Sequence, residues 1–155
     1  MTYPFCWETP EYTDTDIFDT LEEATAAYAK NIADQLCFPG SCEGISAWIY
    51  EIEDDCSNIV ECWDGYEDTN EDLWDDICRT AGSILLDMGI KNPDAWLKAN
   101  SIRSQVIERC RSLFRAYLKD EIDDCADYID DSYIDECVGS IYDELSVEDI
   151  VEAIA

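Results

Sequence analysis

The chain of 155 residues has no histidine, only nine lysines and arginines, six glycines and four prolines. Without His, no side chain ordinarily titrates near neutral pH, and imidazole acid–base catalysis is excluded. The sequence also lacks a G-x-S-x-G elbow and a glycine-rich phosphate cradle, so two common catalytic frameworks have no basis. Adjacent acids are abundant, but in so acidic a chain they arise by chance, and the protein is read as not an enzyme. The opening "MTYPFCWETP" has neither a basic n-region nor an apolar h-region, and no stretch reaches the ~20 apolar residues of a membrane span. A cytoplasmic protein without membrane contact is expected. The nine Cys are odd in number and contain no C-x-x-C, which argues against a disulfide framework and a zinc ribbon. Cys37 and Cys42 flank "FPGS", yet with no His and no second close pair they do not amount to a metal site. No calcium loop of the D-x-[DN]-x-[DN]-G type occurs. Neither a cofactor nor a metal is expected.

What the chain has in excess is negative charge: 38 acids set its net charge at −29. Solubility of a small domain needs only about 2 to 8 charges. Disordered acidic tails are poor in aromatics, whereas this chain is 47% hydrophobic with five Trp and nine Tyr, so it should fold.

Apolar spacing predicts an all-α fold: a single compact domain of about six or seven amphipathic helices over residues 20–155, preceded over 1–19 by an N-terminal arm, with Pro4 and Pro10, that the sequence leaves open as a short strand or an extended segment. Thr20 with Glu23 forms a capping box ahead of Leu21, Thr25, Tyr28, Ile32 and Leu36. Ile45, Trp48, Ile49, Ile52, Cys56, Ile59, Val60 and Trp63 follow the i, i+3, i+4, i+7 spacing of one helix face, which predicts a second helix. A third runs from Leu73 to Met88 and stops at Gly89. Asn92 and Pro93 open a short helix, and a long one follows from Ile102 through Cys110 and Phe114 to Ile129. Ser132 is read as the cap of the next, and Ser146 with Asp149 as the cap of the last. Trp and Cys residues on these stripes are assigned to the core.

The charge is segregated. Residues 1–78 carry 21 acids and one base, residues 79–119 three acids and eight bases, and residues 120–155 fourteen acids and no base. Between Asp120 and Asp131 seven acids lie in twelve residues. On a helix that is about one charge per 2.6 Å of axis, against about one per 1.7 Å for duplex DNA. Two acidic faces follow. One comprises Asp54, Asp55, Asp64, Glu67, Asp68, Glu71, Asp72, Asp75 and Asp76; the other Asp120, Glu121, Asp123, Asp124, Asp127, Asp130, Asp131, Asp135 and Glu136. Tyr66 and Tyr133, beside them, are candidate interface aromatics. Like charges at i,i+4 each destabilise a helix by roughly 0.2–0.5 kcal/mol, so a function that uses these faces is the natural reason for them.

In composition and charge pattern the chain resembles the DNA-mimic inhibitors of phages and mobile elements, of anti-restriction or anti-CRISPR type. That resemblance implies an acidic nucleic-acid mimic that binds the basic DNA- or RNA-binding surface of a host defence protein, such as a CRISPR effector or restriction enzyme. Its partner would be a nucleic-acid-binding protein with a basic groove, inside an infected or host bacterial cell, and the mimic itself would not bind nucleic acid. The alternative is an immunity protein that neutralises a cationic nuclease toxin. Arg111, Arg115 and Lys119 recur at i,i+4 and are expected to pair with the chain's own acidic helices. A homodimer contact and a contact with nucleic acid bound by the target are the other readings of that stripe.

Overall fold

Two segments expected as an arm and a helix build a sheet instead. The computed structural model describes residues 1–37, 42–54, 56–66, 69–89 and 100–154. Strands β1 (Tyr3–Glu8) and β2 (Thr13–Phe18) precede helix α1 (Leu21–Leu36); β3 (Ser46–Glu53) and β4 (Cys56–Asp64) follow. Then come α2 (Glu71–Asp87), α3 (Asn100–Ile122), a 3-10 segment (Asp123–Tyr128), α4 (Asp131–Glu144) and α5 (Val147–Ile154). The four strands form one antiparallel sheet in the order β2-β1-β3-β4. The fold is therefore mixed α and β, and the all-α expectation is corrected.

The error at residues 45–64 has a physical cause. Ala47 and Ile49 point inward, but their neighbours Trp48, Tyr50 and Ile52 on the other face are apolar too, so the alternation that marks a half-buried strand is lost. A β-bulge between Ile49 and Tyr50 shifts the register against β4 and obscures the period further. At the N-terminus the short strand left open by the sequence is present, paired into a hairpin; Pro4 lies in β1, an interior strand where proline removes a ladder donor, which weakened that signal. Its turn is held by Thr9, whose Oγ1 accepts from the amides of Glu11 and Tyr12.

The helices match their sequence signals more closely. The Glu23 amide donates to Thr20 Oγ1, and Ser146 and Asp149 cap each other reciprocally at the start of α5. Gly89 takes a left-handed φ of 67° just past α2. Two boundaries differ from expectation. The long helix stops at Ile122, because Asp123 adopts φ 51° and the acidic run turns into the 3-10 segment. The cap of α4 is Asp130, accepting from the Tyr133 amide at 2.8 Å, and Ser132 lies inside the helix. The helix expected from Asn92 and Pro93 falls outside the described residues.

One core runs through both layers. Phe5 on the inner face of the sheet meets Tyr28 of α1 edge-on, with ring centroids 6.3 Å apart. Behind α1, fully buried Ile77, Phe114, Leu118, Ile134 and Ile141 join α2, α3 and α4. Burying each such side chain contributes roughly 1.5–3 kcal/mol. Met88, expected inside, is exposed, and so is Tyr128 at the end of the 3-10 segment; Cys56, expected in a helical core, is exposed on β4.

Candidate acidic interface

Helices α3 and α4 run antiparallel and are joined by a ladder of ion pairs. Arg103 meets Asp143 with both Nε and Nη2; Arg111 meets Asp135 in the same way; Arg115 meets Asp131 at 2.9 Å; Lys119 meets Asp127 at 3.3 Å. A step of four along α3 answers a step of four back along α4 and, for Asp127, into the 3-10 segment before it; the rung between the first two pairs is Ile107 opposite Gly139. A Cβ at Gly139 would stand 2.5 Å from Arg103 Nη2 and 3.4 Å from Ile107 Cδ1, so any larger residue there would oblige the Arg103 guanidinium to shift. Arg115 also donates to the carbonyls of Ala126 and Ile129, and so ties down the 3-10 segment.

The ladder sorts the acids named from the sequence. Asp127, Asp131 and Asp135 are spent inside the molecule, and Asp130 caps α4. Asp76 accepts from Tyr117 Oη at 2.7 Å and pairs with Arg79 at 3.3 Å; burial and that bond push the Tyr117 phenol up to about 12. Glu121 accepts from the Trp63 indole at 2.7 Å, and Asp64 from Ser46 Oγ at 2.7 Å. Tyr133 acts as an internal tie: its Oη donates to Asp34 at 2.5 Å, and Lys30 Nζ lies 5.6 Å from its ring centroid. Tyr66 is exposed.

The remaining acids do not fill the two faces expected from the sequence. Tyr117–Asp76 and Trp63–Glu121 bring the end of α3 against the start of α2 and the end of β4. Exposed Glu71 and Asp72 thereby share a corner with exposed Asp120, Asp123 and Asp124, while Asp75 lines a cleft toward α5 with Arg79, Asp149 and Glu152. The two acidic segments, separated by some fifty residues of chain, meet there. Asp54 is elsewhere. It sits at the β3–β4 turn, and the nine residues of β4 carry it about 26 Å from Asp64 at ~3.3 Å per residue. Glu136 is exposed on α4. Asp55, Glu67 and Asp68 lie outside the described residues.

The first turn of α2 suits its acids. Glu71 and Asp72 stand at the positive end of the helix dipole. The turn is anchored from behind, where Asn70 Nδ2 and Trp74 Nε1 both donate to the Leu36 carbonyl, at 3.2 and 3.0 Å. The anionic corner is thus presented by rigid elements.

Sequence reasoning missed a second surface. Trp48, Ile52 and Ile59 were assigned to a helical core, but they stand with Tyr50 on the sheet face turned away from α1. The signal available was the density of aromatic and β-branched residues in "AWIYEI" and "NIVECW". Among the described residues no group of His, Cys, Asp and Glu is placed to hold a metal, and no helix is long and apolar enough to cross a membrane. Comparison with protein-family models, with curated proteins and with solved structures finds no match for this chain.

Proposed function

We propose that this protein is an acidic nucleic-acid mimic that occupies the basic DNA- or RNA-binding surface of a host defence protein, a restriction enzyme or a CRISPR effector. The observation that supports this most is the internal use of the cations. Each of the seven described Lys and Arg is engaged within the chain, six in ion pairs and Lys30 over Tyr133. Those six bridges involve six of the 38 acids. The carboxylates of the α2–α3 corner therefore face solvent in none of the described ion pairs. They would stand where phosphates stand and take the Arg and Lys that hold a backbone, with fast association that weakens as salt rises.

The test is displacement. The protein is titrated into complexes of labelled duplex with purified restriction endonucleases and with guide-loaded CRISPR effectors, across a range of salt. Release of duplex is expected from at least one target. Neutralising Glu71, Asp72, Asp120, Asp123 and Asp124 to Gln or Asn should abolish it, while Glu22→Gln with Glu23→Gln, on α1, should not. Equal displacement by the neutralised variant would remove the corner from the mechanism. Failure on every such target, with inhibition of a cationic nuclease toxin instead, would replace this reading with that of an immunity protein.

A further inference from the structure

The outer face of the sheet is built differently from the rest of the surface. The register places Cys6 beside Trp48 and Trp48 beside Cys62; the next row holds Ile17 beside Pro4 and Tyr50 beside Ile59; Ile52 follows, between Thr2 and Ser57. These rows carry no charged residue, in a chain where about a quarter of all residues are acidic. Pro4 and Cys6 form the floor, and Trp48 and Tyr50 meet edge-on at 6.4 Å above it. Ile17 and Ile59 stand 69% and 60% exposed at either side. Antiparallel sheets with one face toward solvent normally place polar side chains there, and contiguous exposed apolar patches mark interaction sites. Among the described residues no helix packs on this face; α1 lies on the other.

The ends of the patch indicate what covers it. At one end Glu8 and Asp64 flank Ser46 in a single row; at the other the hairpin tip carries exposed Glu53 and Asp54. Both ends are anionic, so a second copy laid face to face would set carboxylate against carboxylate in either orientation. A complementary occupant is apolar in the middle and cationic at both ends.

We propose that this sheet face is a second docking surface, for a segment of a partner protein with an apolar centre and Lys or Arg at each end. It is distinct from the acidic corner and does not depend on nucleic-acid mimicry.

The probes are three labelled twelve-residue peptides: alternating Val and Tyr between Arg pairs, the same Arg ends around a Gly–Ser centre, and the same apolar centre between Glu pairs. Binding is read by fluorescence anisotropy at physiological salt. The Arg-ended apolar peptide should bind about tenfold or more tighter than either control, a difference of about 1.4 kcal/mol. Ile17→Gln with Ile59→Gln should remove that advantage, and neutralising Glu71 and Asp72 should leave it intact. Because the Gln variant could perturb the edge strands, oxidative footprinting of the unaltered protein is the second readout. Bound peptide should protect Trp48 and Tyr50 but not Tyr66 or Tyr128. Equal binding of the Gly–Ser peptide, unchanged binding by the Gln variant or protection at Tyr66 instead of Trp48 would overturn the proposal. So would sedimentation as a dimer that the Gln variant splits.

Discussion

Arg111 and Asp135 meet in a two-point contact, Nε to Oδ1 at 2.7 Å and Nη2 to Oδ2 at 2.8 Å, across the interface of α3 and α4. The planar guanidinium fork matches the carboxylate in one orientation, so the pair sets register as well as adding attraction. Its neighbours repeat it with the same step. The basic stripe on α3 thus absorbs Asp131, Asp135 and Asp143 of α4, which leaves the net charge on acids outside the described ion pairs.

Arg115 is the rung whose loss should cost most, because two backbone carbonyls depend on it as well as Asp131. Arg115→Met should destabilise the fold by about 1–3 kcal/mol through the unpaired carbonyls of Ala126 and Ile129. Urea denaturation followed by circular dichroism measures it. Arg111→Glu with Arg115→Glu should lower the midpoint further without changing the sedimentation of the folded protein. A charge-reversed pair that stayed fully stable would contradict the ladder.

Asp123 holds a φ of 51°, where β-branched residues are strained and glycine is not. Asp123→Val should cost roughly 1–2 kcal/mol, whereas Asp123→Gly and Asp123→Asn should fall within about 0.5 kcal/mol of the parent. Thermal melts of the three variants decide this.

Salt and pH should both register on stability. With the described cations already engaged, added salt screens repulsion among the remaining acids, so melting temperature should rise between low and high ionic strength. Asp34 gives a more local signal. Desolvation raises its pKa above 3.8, only partly offset by the Tyr133 hydrogen bond and by Lys30. A carboxyl raised on folding contributes stability that is full below pH 3.8 and is lost as pH rises through its folded value. Asp34→Asn keeps an acceptor for Tyr133 and removes that dependence. The variant should gain on the parent as pH rises, in urea midpoints taken from acid to neutral pH.

Thiol labelling tests the sheet directly. Cys56 and Cys62 are exposed on β4, whereas burial pushes Cys42, Cys78 and Cys125 up to about 11. A maleimide should modify Cys56 and Cys62 of the folded protein well before those three, as mass spectrometry of digests would show. Protection of Cys56 would favour the helical packing that the apolar spacing alone suggested.

Much of the helical half was legible because its signals are local. The Thr20 and Ser146 caps, the Gly89 stop and the buried stripe from Ile102 to Ile122 each depend on residues within a few positions of one another. The sheet was not legible, because Trp48, Tyr50 and Ile59 make its outer face as apolar as its inner one and erase the period of two. The basic stripe could be read as a partner for the chain's own acids, but which acids it would take depended on the antiparallel register of α3 and α4. The grouping of Asp54 with Asp64 failed for the same reason: a hairpin puts at opposite ends what a helix would have kept on one side.

The sign and quantity of charge, its division along the chain and most helix ends follow from the order of the residues, because charge count and capping involve no distant contact. Which carboxylates are cancelled, that two acidic segments meet at one corner, and that an uncharged apolar sheet face lies open were decided only by folding. Those properties depend on pairings between residues far apart in the chain, such as Trp63 with Glu121 and Asp76 with Tyr117, and only the packed core brings them within hydrogen-bonding distance.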